Sequence, residues 1–178
     1  MCKYTRDGKP KTVAQNGDEQ RLLTDAAVAG KLVQLLDEGD IATLTEEVLA
    51  LLRLPPSSVR YSYGGVLGWL ITITARRISD QVGVVENGNV LAMTICTPHG
   101  TTVPSSKVTP SMYALARVTT AVLVGEYAAL RTFLAEVNRL ADAVTKADIL
   151  VDALLVLETV LNSQFPDLYE HMIFRPAA

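Results

Sequence analysis

Gly64-Gly65-Val66-Leu67-Gly68-Trp69-Leu70-Ile71-Thr72-Ile73-Thr74-Ala75-Arg76-Arg77 is the stretch on which the fold turns. After the glycines, Leu67, Trp69, Ile71 and Ile73 alternate with Gly68, Leu70, Thr72 and Thr74, and the run is rich in β-branched residues. Side chains of a strand point to opposite faces in turn, and branched residues fit a pleated surface, so the alternation predicts a strand. The glycines then read as the turn leading into it, and Arg76-Arg77 as a solvated end that discourages sheet-to-sheet aggregation.

Immediately downstream, Asn87-Gly88 lies between two apolar runs and supplies the positive φ angles of a type I′ hairpin. A two-residue turn there sets Val84 opposite Leu91 and Val82 opposite Met93, and leaves Val85, Val90, Ala92 and Cys96 on the other face. The reading is a small antiparallel β-meander over about residues 66–96.

Both flanks are helical by period. Upstream, Val28, Leu32, Leu35 and Leu36 follow a plausible N-cap at Thr24 and stop at Gly39, while Leu44, Val48, Leu51 and Leu52 share a face ended by Pro55-Pro56. Downstream, residues 97–108 form a loop without periodicity, and Thr109-Pro110 opens a helix running to about Val144, with a bend at Gly125. Thr145 with Asp148 has N-cap spacing for a last helix to about Leu161, whose seam is Leu150, Leu154, Leu157 and Leu161. Ile149, Val151, Val156 and Val160 lie off that seam, so this helix is apolar on more than one side. The predicted fold class is α+β: two N-terminal helices, the meander at 66–96, and a C-terminal antiparallel helical hairpin at about 110–162. Residues 1–17 read as a flexible basic arm, and residues 18–178 as a single compact domain.

Composition fits one core. Of 178 residues, 49% are hydrophobic and 20% charged, a balance that excludes disorder, and at this length roughly 70% of the unfolded surface can be hidden. A net charge of -3 gives no footprint for wrapping phosphate backbones, although Lys3, Arg6, Lys9 and Lys11 make the arm basic while the C-terminal end is acidic. Two cysteines, Cys2 and Cys96, cannot build a disulfide framework, and the opening residues lack an apolar leader segment, so a reducing cytoplasm is expected. The most apolar stretch, Ile149 to Leu161, carries Asp152 and Glu158 and is shorter than the roughly 20 residues a membrane span needs.

Chemistry-bearing residues are few. Cys96 and His99 sit three apart at the start of the long loop; a thiol needs a nearby base to become a nucleophile, and the spacing matches no known nucleophile arrangement, so they are weak catalytic candidates. Two histidines and two distant cysteines offer no metal-ligand pattern, and no cofactor is expected. Gly64-Gly65-Val66-Leu67-Gly68 lacks the Gly-Lys-Ser/Thr ending of a phosphate loop. Asp148 and Asp152, one turn apart, read as a solvated stripe.

Residues 45–60 resemble a helix-turn-helix: Val48, Leu52, Leu54 and Val59 occupy its packing positions, and Pro55-Pro56-Ser57-Ser58 would begin a recognition helix. The resemblance implies DNA contact through Ser57, Ser58, Arg60 and Tyr61. It departs at Leu49, where a small residue usually sits, at Arg53 in place of a turn glycine, and at Ser62 in place of an apolar residue.

The leading expectation is a non-catalytic interaction or regulatory accessory protein acting through protein contacts, as a homodimer or with an unidentified partner, and more consistent with a non-enzyme than an enzyme. Its expected interface is Val85, Val90, Ala92, Val151, Val156 and Val160, the apolar surface that one sheet and one helical layer leave open. The alternatives are a DNA-binding regulator using residues 43–63, and a small enzyme or ligand binder with a pocket near Cys96 and His99.

Overall fold

The structure, a computed structural model, describes residues 13–54, 61–82, 89–90, 108–140, 142–162 and 175–176. Six helices account for nearly all of them: α1 (Val13–Asp37), α2 (Ile41–Arg53), α3 (Tyr63–Val82), α4 (Pro110–Leu123), α5 (Tyr127–Arg139) and α6 (Ala143–Asn162).

This overturns the α+β assignment. The stretch read as a first strand is the middle of α3, and its glycines lie inside the first turns of that helix instead of in a turn before a strand. Besides Gly64, the buried residues of α3 are Tyr63, Val66, Leu67, Leu70, Ile71, Thr74, Ala75 and Ile78, a repeat of three and one that follows the helical period. The Thr72 and Thr74 hydroxyls donate to the Gly68 and Leu70 carbonyls at 2.7 Å, so these strand-prone residues are satisfied within the helix. Extended pairing among the described residues is confined to an antiparallel contact of Asn89 and Val90 with Pro176 and Arg175. The remaining hairpin positions, Val84, Val85, Leu91, Ala92, Met93 and Cys96, lie outside the described residues.

The predicted C-terminal hairpin is three helices. Gly125 has φ 84°, a left-handed conformation that only glycine adopts without strain, and it ends the helix that Thr109 opens. A second break follows α5, and Asp142 caps α6 in place of the predicted Thr145, accepting from the Val144 and Thr145 amides at 3.0 Å. The Thr109 cap stands as read, with its hydroxyl accepting from Met112 N at 3.1 Å. At the other end of the chain, Asp40 caps α2 and Gly39, at φ 70°, closes α1.

Helix α3 is the hub, packed by α1, α4, α5 and α6, while α6 also touches α1, α2 and α4. Asn138 lies over Gly64 and Leu134 over Gly68, so α5 runs antiparallel to α3. The Tyr63 hydroxyl donates to the Lys146 carbonyl and Gln81 Nε2 to the Val160 carbonyl, so α6 runs parallel to it. Leu32, Leu51, Leu67, Leu70, Ile71, Leu150, Leu154 and Leu157 are fully buried at the centre, each contributing about 1.5–3 kcal/mol of burial. No helix among the described residues is long and apolar enough to cross a membrane.

Candidate functional site

Three places concentrate polar or exposed apolar groups. At the start of α3, Ser62 caps the helix by accepting from Gly65 N at 3.1 Å, and the Asp25 carboxylate of α1 accepts from Ser62 N at 2.9 Å. Asp25 is 4% exposed and lies at a helix N-terminus, where the peptide dipoles favour a negative charge. Next in sequence, the Tyr63 phenol donates to Lys146 O at 2.8 Å, and burial pushes its pKa up. The Lys146 ammonium sits 5.7 Å from the Tyr63 ring centroid and also donates to Asn138 O. A carboxylate, a hydroxyl, a phenol and an amine thus meet at one end of the bundle. The Ser62 hydroxyl caps its own helix, while the carboxylate, the phenol and the amine each make a bond that ties one helix to another, so the arrangement works as a clamp joining α1, α3, α5 and α6.

At the start of α4, Asp152 of α6 accepts from the Ser111 hydroxyl at 2.5 Å and from the Thr109 hydroxyl at 3.2 Å. The crevice beside it, lined by Ile71, Thr74, Leu115, Thr119, Ala153 and Val156, holds about 10 Å³, room for one water at most. Among the described residues no group of three His, Cys, Asp or Glu side chains is placed to hold a metal ion.

The third place is the outer face of α6. Val144, Val151 and Leu155 fall within about 40° of one another around the helix axis. They are 67%, 40% and 41% exposed. On α2, which packs against α6, Ile41 and Leu49 are 57% and 43% exposed. Single exposed apolar residues are ordinary, but an aligned row spanning three turns is not. Glu158 borders the row on one side and Asp148 on the other, while Lys146 points away, toward Tyr63.

The residues singled out from sequence are scattered. Cys96, His99, Ser57, Ser58, Arg60, Val85 and Ala92 lie outside the described residues. Tyr61 is half-buried and packs on the core, and Val90 lies in the two-residue extended pairing. Of the three α6 interface candidates, Val151 is exposed, Val156 is half-buried against the crevice, and Val160 is buried within the chain. Val144, expected at the end of the preceding helix, and Leu155 are not among the interface residues expected from sequence, although they lie seven and four residues from Val151. Sequence reading also missed Asp25 and Lys146, for which no local signal exists. No protein-family model, curated protein or solved structure matches the chain.

Proposed function

We propose that this chain is a non-catalytic interaction protein of the cytoplasm, acting through protein contacts made by the outer face of α6 and the adjoining side of α2. The observation that carries the reading is the row Val144, Val151 and Leu155, an aligned apolar strip left uncovered on a helix whose opposite side is packed. Burying such a strip against another protein removes apolar area from water at about 25 cal/mol per Å². The polar clusters at the starts of α3 and α4 support the same reading, because their groups hold helices together and the crevice beside α4 is too small for a substrate. Cys2 and Cys96, too few for a disulfide framework, fit a reducing compartment. The DNA-binding alternative draws no support from the described residues, since Tyr61 packs on the core.

A second copy and a different protein are the two versions of this reading. Sedimentation of the full chain from about 1 to 100 µM, beside a Val151→Ser/Leu155→Ser variant, tests the first. A dimer that the variant loses makes the partner a second copy. A monomer in both, combined with no peptide or protein ligand that the variant weakens, sinks the reading.

A further inference from the structure

Resting on that reading, the charges around the strip specify the chemistry of its occupant. From the α1–α2 turn through α2, Asp37, Glu38, Asp40 and Glu46 are opposed by Arg53 alone, Glu47 being paired with Lys31. Along α6 and its cap, Asp142, Asp148, Asp152 and Glu158 are opposed by Lys146 alone. Lys146 is committed to the Tyr63 ring and the Asn138 carbonyl, and Lys31 of α1 is committed to Glu47. The strip itself has a carboxylate on each flank, Asp148 and Glu158, and no α6 cation beside it. Two copies docked through this face would set carboxylates against carboxylates around the apolar seam, an arrangement that like-charge repulsion opposes.

We infer that the outer face of α6 docks a basic amphipathic helix of a different protein, seated with its apolar edge on Val144, Val151 and Leu155 and its Lys or Arg residues against Asp148 and Glu158. From Val144 to Leu155 the strip is about 17 Å long, which matches roughly three turns of a partner helix. Apolar anchors at helical spacing provide the contact area, as in helix-in-groove recognition, and the flanking charges select the partner and speed encounter.

The test uses the full chain and two labelled peptides of about 18 residues with identical leucines at helical spacing, one with lysine and one with glutamate at all other positions. Fluorescence anisotropy should show the lysine peptide binding at least about tenfold more tightly than the glutamate peptide, with the gap narrowing as salt rises from about 50 to 300 mM. Val151→Ser/Leu155→Ser and Asp148→Asn/Glu158→Gln, all at solvent-accessible positions, should each weaken the lysine peptide by about fivefold or more while the circular dichroism spectrum stays unchanged. Equal binding of both peptides, each weakened by Val151→Ser/Leu155→Ser, would overturn the charge assignment and leave the interaction reading standing. Binding of the lysine peptide that neither variant alters, or no binding of either peptide, would overturn the docking site. A dimer lost in Val151→Ser/Leu155→Ser would make a second copy the occupant and overturn the inference while upholding the interaction reading.

Discussion

The Asp25 carboxylate lies so close to the Gly65 backbone that a methyl group placed on Gly65 would come 2.0 Å from Asp25 Oδ2. Helix propensity alone favours alanine over glycine by up to about 1 kcal/mol, but here the added carbon meets a buried carboxylate held by Ser62 N. The clash wins, and Gly65→Ala should destabilise by about 1–3 kcal/mol. Asp25→Ala should cost a similar ~1–3 kcal/mol by leaving the half-buried Ser62 N–H without this acceptor. Because the same atoms account for both losses, urea unfolding of the double variant should show a cost clearly below the sum of the singles. Strict additivity would refute the contact.

Gly64 provides the contrast one residue away. The atoms nearest to its added methyl would be those of the amide end of the exposed Asn138 side chain, from 2.7 Å, and that end can swing aside. Gly64→Ala should therefore stay within about 0.5 kcal/mol of the parent. A loss as large as that of Gly65→Ala would mean that Asn138 is fixed.

These two glycines also show why the fold was only partly legible. Punctuation was read well where one residue dictates it: Pro55-Pro56 follows the end of α2, Gly39 closes α1, and Thr109-Pro110 opens α4. The stretch at 66–74 misled because α3 is the hub of the bundle. A helix packed on several sides has apolar residues all round, so its 3.6-residue period is diluted and a short alternation such as Leu67, Trp69, Ile71, Ile73 shows through. Branched residues strengthened the error, since strand preference mostly records a good fit to a half-buried surface, which α3 supplies as well. The outer face of α6 was half visible: the sequence marks the helix as apolar on several sides. Which side stays open depends on where α2, α3 and α4 pack, so Val160 is buried while Val151 is exposed.

The same distinction yields a stability test. Val160→Ser should cost about 1–3 kcal/mol through lost burial and an added hydroxyl in the core. Val151→Ser should change stability by less than about 0.5 kcal/mol. Matching losses in thermal unfolding would mean that Val151 is covered by the chain's own residues.

Removing the α4 cap should be felt locally. Thr109→Ala loses the bond to Met112 N and one of the hydroxyls on Asp152, and should cost about 1 kcal/mol, whereas Thr109→Ser should recover most of it. Equal losses in both variants would point to the lost methyl group as the cause.

Two exposed caps give the fold an acid-sensitive component. The Thr43 side chain and amide hold Asp40 below the ordinary aspartate pKa, and the Thr145 hydroxyl, with the Thr145 and Val144 amides, does the same for Asp142. A carboxylate depressed in the folded state adds stability above its unfolded pKa of about 3.9, and that contribution is lost as pH falls through the folded value. Asp40→Asn/Asp142→Asn should thus be less stable than the parent at neutral pH, with the gap closing as pH drops toward 3 in urea titrations. A gap independent of pH would show that the carboxylate charge plays no part in either cap.

The bond from Ser62 N to Asp25 joins residues 37 positions apart in sequence. Helix α3 therefore borrows the last element of its N-terminal cap from another helix, and an isolated peptide of residues 61–82 would fray at that end. In the intact chain this start can lock only once α1 has docked, so secondary structure and tertiary assembly at the hub are completed in a single cooperative event. Amide exchange at the first turns of α3 should accordingly report on opening of the α1–α3 junction, and not on local breathing of one helix.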